Sequence, residues 1–177
     1  MERITMKLPV VLAEKDDVQV LIGGRDVLEP SVRKVTDITA DIRDLRLDIV
    51  VLDLPDTWQG PEESRVRVKV IIFGVLHKQI FWVGRDNRIH HKQINEPFAT
   101  FALFTEQDIA EYGERFNKQS IPIGFPFDER RIQAQVWQED VEAIVTHLVS
   151  PSQLQESVVI GFTIKLEQLT QLPIKSQ

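Results

Sequence analysis

Four histidines, His77, His90, His91 and His147, carry most of the chemical range in this sequence, because imidazole binds metals and moves protons near neutral pH. A zinc site needs three or four ligands converging on one point. His90 and His91 are adjacent, and on a strand adjacent side chains leave opposite faces, so the two cannot share one ion simply. His77 on a neighbouring strand could approach one of them, which makes a two-histidine pair still lacking a third ligand. One packed and one exposed imidazole in a hairpin is the simpler expectation. The chain has no cysteine, which excludes a thiolate zinc site, a disulfide scaffold and a cysteine nucleophile. Gly23-Gly24 precedes Arg-Asp and lacks the Lys and Ser/Thr of a phosphate loop. There is no G-x-S-x-G elbow. The carboxylates fall mostly in loops and on polar faces and nominate no acid–base pair. The expectation is a protein that is not an enzyme and carries no metal or cofactor.

Charge offers a second kind of chemistry. The 177 residues have a net charge of −6, yet Ser64–Ile94 holds seven Lys/Arg against Asp86 alone, leaving −12 on the remainder. An acidic chain does not suit nucleic acid, whose phosphates dominate affinity. A local basic face on an acidic body suits an acidic protein partner or self-association. The candidate partner-binding residues are therefore Arg65, Arg67, Lys69, Lys78, Trp82, Arg85, Arg88, His90, His91 and Lys92. A small-ligand or carbohydrate module is the alternative, with Trp58, Trp82 or Trp137 as a stacking platform, although the three are not clustered.

The elements that must position these residues are strands. The chain has 20 Val and 18 Ile against 7 Ala, and β-branched side chains pack well on a pleated surface. Residues 7–12 and 17–22 read as short strands, the second broken by Gly23-Gly24. Leu45, Leu47, Ile49 and Val51 alternate along the end of the next segment. Residues 53–64 read as a loop. In Arg65–Phe73, Val66, Val68, Val70 and Ile72 take one face and Arg65, Arg67 and Lys69 the other, and Gly74 marks a bulge or a close backbone approach. Residues 75–83 form a second strand, Gly84–Asn87 a tight turn, and 88–95 its return. Pro97–Phe104 fits a bent strand or a helix, with its phenylalanines as core. Thr105 and Asp108 resemble a capping box for a short helix through Phe116. Arg131–Val149 fits a bulged strand or a helix, and Val158, Ile160, Phe162, Ile164 and Leu166 face one way on a last strand. About ten strands predict a mostly β fold, an antiparallel sandwich or partly closed barrel with at most one or two short helices. The first apolar stretch is too short for a signal-peptide core, and no run approaches a membrane span, so a cytoplasmic protein is expected.

Residues 69–104, KVIIFGVLHKQIFWVGRDNRIHHKQINEPFATFALF, resemble the SPOCS domain of SipL-like sporulation proteins. The resemblance lies in Gly74-Val75-Leu76, His77 to Val83, Asp86-Asn87, His90-His91 and Pro97-Phe98 to Phe101, and extends over roughly residues 30–168. Glu106–Gly124 departs from the short connection expected there. The resemblance implies a β module for spore coat or envelope assembly, on the mother-cell side or in the coat, that binds protein partners or copies of itself. It also implies an N-terminal extension, 1–29, packed on the domain, and a short tail, 169–177.

Overall fold

The computed structural model describes residues 5–115 and 121–173. Among the described residues, six strands are divided between two antiparallel three-stranded sheets. β1 (Thr5–Val27), β6 (Gln153–Pro173) and β5 (Ile132–Ser150) form one sheet in the order β1-β6-β5. β2 (Val32–Asp53), β3 (Arg67–Gly84) and β4 (Ile89–Thr105) form the other in the order β2-β3-β4. The sheets stack with β1 against β4 and β2 against β5, so the central strands β3 and β6 face each other. This is the mostly β, two-sheet architecture that the Val/Ile excess predicts, and it is not a closed barrel. The strand count differs from expectation: segments that read as separate short strands are continuous. Each strand runs 17 to 23 residues, against about 5–6 in an ordinary sheet.

Bulges let strands of this length coil. β1 shifts register between Val11 and Ala13 and between Lys15 and Val18, and β5 shifts three times along β6. Gly74 is a close approach rather than a bulge of its own strand. A Cβ there would lie 2.6 Å from the Phe98 ring. The bulge belongs to β2, where register slips between Arg43 and Arg46 and Asp44 takes a left-handed φ of 52°. Gly23-Gly24 likewise do not end a strand, since β1 pairs with β6 straight through them. Residues 5–27 are therefore integral to a sheet, and β6 carries strand structure past position 168 to Pro173.

Pro97–Phe104 lies within β4, where Phe98 and Phe104 point inward and Phe101 outward. The hairpin between β3 and β4 closes as predicted, with Gly84 N–H donating to Arg88 O and Asn87 N–H to Gly84 O. Asn87 tolerates the positive φ that the turn requires. α1 (Glu106–Arg115) begins where Asp108 accepts from both the backbone N–H and the hydroxyl of Thr105. Phe116, the expected end of that helix, lies outside the described residues. α1 buries Ile109 and Tyr112 at the β1–β4 edge, and Lys15 of β1 pairs with Asp108 at 2.9 Å.

The core follows the inward positions of β3 and β6. Val66, Val68, Val70, Ile72, Leu76, Val158, Ile160, Phe162, Ile164 and Leu166 are all buried. A second, smaller cluster of Leu28, Val32, Ile80, Trp82 and Leu154 closes the far end.

Candidate functional site

The inward row of β3 continues without a phase change from Val68 to Gly84, and one member is a lysine. Lys78 sits between Leu76 of the large cluster and Ile80 of the small one. The other strands make the same interruption at the same level. Glu156 separates Val158 from Leu154 on β6, Glu96 separates Phe98 from Ile94 on β4, and Gly24 and Asp26 separate Ile22 of β1 from Leu28 just beyond its end. Four strands thus devote one layer of the sandwich to charge.

Lys78 is 0% exposed and Glu156 1%. The Lys78 ammonium donates to Glu156 Oε1 and lies 2.6 Å from Glu96 Oε2 and 3.8 Å from Asp26 Oδ2. The Glu96 contact is a close ion pair whose angle does not make it a hydrogen bond. Asp26 Oδ2, Glu96 Oε2 and Glu156 Oε2 are buried and accept no hydrogen bond. Lys92, at the rim, donates to Val27 O at 3.0 Å and stands 3.8 Å from Asp26 Oδ1. Gly24 makes room for the layer, since a Cβ there would lie 2.9 Å from Glu96 Oε1 and 3.3 Å from Lys78 Nζ. Three carboxylates around one sequestered ammonium form an expensive arrangement, because desolvating ions costs several kcal/mol each and only close pairing offsets it, to within about that amount.

Lys78 is therefore not a surface residue, which corrects its placement on a basic binding face. Trp82 is corrected likewise: it is buried beside Ile80, with its indole N–H donating to Pro30 O at 3.1 Å. The other predicted residues do not form one face. Arg65 and Arg67 reach Asp53 at 3.4 and 3.9 Å, and the Lys69 ammonium stands 4.0 Å from the centre of the Phe101 ring. Arg85 and Arg88 occupy the hairpin turn at the other end of β3, roughly 50 Å along an extended strand. His90 stacks on Trp82 and contacts the Asp86 carboxylate at 2.9 Å. That hydrogen bond, with the Arg88 N–H, holds Asp86 below the usual carboxylate range. His91 stacks on Phe81 on the opposite face. His77 is buried against Asn95, with Nδ1 and Oδ1 2.7 Å apart. Among the described residues no three His, Asp or Glu side chains are grouped to hold a metal ion.

The charge asymmetry of the sequence is partly offset in the fold. Arg65, Arg67, Lys78 and Lys92 meet carboxylates that arrive from β1, β2, β4 and β6. The three tryptophans do not meet either. Trp58 is buried edge-on to Phe127, Trp82 lies in the small cluster, and Trp137 is exposed on β5 under Lys165.

What sequence reasoning missed is the outer face of the β2-β3-β4 sheet. Beyond Lys69, the outward residues of β3 are Ile71, Phe73 and Val75, and the cross-strand register sets Phe101, Ala99 and Pro97 of β4 beside them. Arg46 of β2 lies over the Phe73 ring at 5.1 Å. Phe101 is 55% exposed. A shallow cleft of about 400 Å³ opens beside this block where β2 bulges, lined by Asp44, Phe73, Val75 and Pro97 among others. Polar rows follow, Asp41–His77–Asn95 and Thr39–Gln79–Gln93, before Phe81 and Val83 restore apolar character. The signal was present in the sequence, since residues 70–76 (VIIFGVL) are apolar without alternation, the mark of a strand covered on both sides. No family model, curated protein or solved structure matches the chain.

Proposed function

We propose that this chain is a non-catalytic protein-binding module whose partner packs on the outer face of the β2-β3-β4 sheet. The observation that supports the reading is β3 itself. Its inner face supplies the core, and its outer face presents Ile71, Phe73 and Val75 beside exposed Phe101. An apolar block rimmed by Arg46, Asp48 and Lys69 has the composition of an interface centre with a polar border. The partner is a second copy or another protein. The resemblance of residues 69–104 to the SPOCS domain favours one engaged in spore envelope assembly, and that cellular role rests on the motif alone.

The test is the native size of the tagged chain in extracts of the cells that make it, at low and high salt. The wild type should elute in a complex that high salt leaves intact, because apolar contacts are not screened. The double variant Ile71→Asp/Phe101→Asp should elute as a folded monomer. A wild type that elutes alone, or a double variant that keeps the complex, would contradict the reading. Expression unrelated to sporulation would remove the cellular role and leave the binding face standing.

A further inference from the structure

The charged layer has a chemical consequence separate from the binding face. Lys78 Nζ and the Glu156 carboxyl are in direct contact, both side chains are withdrawn from solvent, and Leu76, Ile80, Leu154 and Val158 wall the layer above and below. A second carboxylate oxygen, Glu96 Oε2, lies 2.6 Å from the same nitrogen and accepts no hydrogen bond. These are a buried amine, a buried carboxyl and, at 28% side-chain exposure, a proton carrier at the edge of the layer. We propose that Lys78 and Glu156 condense into an intramolecular amide that joins β3 to β6 across the sandwich.

The reaction balances within the layer. The Lys78 ammonium carries three protons. One passes to the Glu156 carboxylate, giving a neutral amine and a carboxylic acid. The nitrogen lone pair attacks Glu156 Cδ and forms the N–C bond. Glu96 takes a second proton from the nitrogen and returns it to the departing oxygen. The C–O bond electrons leave with that oxygen, which carries both protons away as water. One proton stays on the amide nitrogen, no oxidant or reductant is involved, and Glu96 ends as it began. Fixed proximity replaces the activation that a free carboxylate would need, and exclusion of water disfavours the reverse hydrolysis. The product also removes one buried ion pair. Asp26, 3.8 Å from the nitrogen and held by Lys92 on its other side, takes no part.

Intact-mass spectrometry of the denatured full chain tests the bond. The wild type should weigh one water less than its sequence. A protease digest should yield a branched peptide joining the segment around Lys78 to the segment around Glu156. Glu96→Gln removes the proton carrier and should give a folded chain at full mass, as should Lys78→Arg, which keeps a cation but cannot be acylated in this way. A wild type at full mass after prolonged incubation, with no branched peptide, would overturn the bond and leave a simple ion pair. A branched peptide carrying Glu96 or Asp26 in place of Glu156 would overturn the assignment of roles. A Glu96→Gln chain that still loses water would overturn the part given to Glu96.

Discussion

The two faces of β3 invert the usual distribution of side chains. The inner face carries a lysine at its middle, with carboxylates from three other strands gathered around it. The outer face carries Ile71, Phe73 and Val75, with Phe101 beside them. Charge inside is tolerated because it is paired, and apolar surface outside is tolerated where something covers it. Alternation along a strand therefore tells which residues share a face, and the residue types tell what each face must meet. On the inner face that complement is intramolecular. On the outer face we assign it to a partner.

The largest effect should come from the inner face. Relative to wild type at full mass, in which no Lys78–Glu156 amide has formed, Lys78→Ala would leave three carboxylates without their cation, and stability should fall by about 3–5 kcal/mol, read as a shift in denaturant midpoint. Replacing Lys78, Glu96 and Glu156 together with Met or Leu should cost much less, because burying a charge alone is worse than burying none. A triple variant as unstable as Lys78→Ala would break the comparison at its inner half. Next is Gly74→Ala, whose Cβ would press into the Phe98 ring. The loss should be about 1–3 kcal/mol, partly recovered by Phe98→Leu.

A smaller effect is expected where α1 anchors the start of β3. Glu106 accepts the Val66 N–H at 3.0 Å, and this hydrogen bond holds its carboxyl below the usual glutamate range. A lowered folded value means that the stabilisation is present above the ordinary glutamate range and is lost as pH falls through the folded value. Glu106→Gln should therefore cost up to about 1 kcal/mol at neutral pH, and its difference from wild type should vanish in acid. A difference that persists unchanged at low pH would assign the effect to packing instead. The smallest stability change belongs to the outer face. Phe101→Ser should alter the isolated chain by no more than about 0.5 kcal/mol while weakening partner binding. A large loss of stability would mean that Phe101 serves the fold.

Much of the fold was legible because it depends on neighbours in sequence. The alternation at Val66–Ile72 and Val158–Leu166, the Gly84–Asn87 turn and the Thr105–Asp108 cap are local, and each stands where its pattern put it. Strand continuity was less legible. Gly23-Gly24 and Gly74 look like breaks in one dimension, while in the fold Gly24 gives room to Glu96 and Lys78, and Gly74 to Phe98, all arriving from other strands. Two of the candidate binding residues, Lys78 and Trp82, lie inside the fold for the same cause. Lys78 was counted with the surface because a lysine alone in sequence has no visible partner, and Glu96, Glu156 and Asp26 lie 18, 78 and 52 positions away. Its even spacing from Val66, Val70 and Leu76 was the available sign that it points inward.

The central claim is that the outer face of β2-β3-β4 is covered by protein in the cell. A photo-crosslinking side chain at position 101 tests it directly, compared with the same probe at position 139, exposed on β5 of the other sheet. The account predicts a discrete adduct from 101, either a second copy or one partner, and none of that size from 139. No adduct from 101, or the same adduct from both positions, would contradict it.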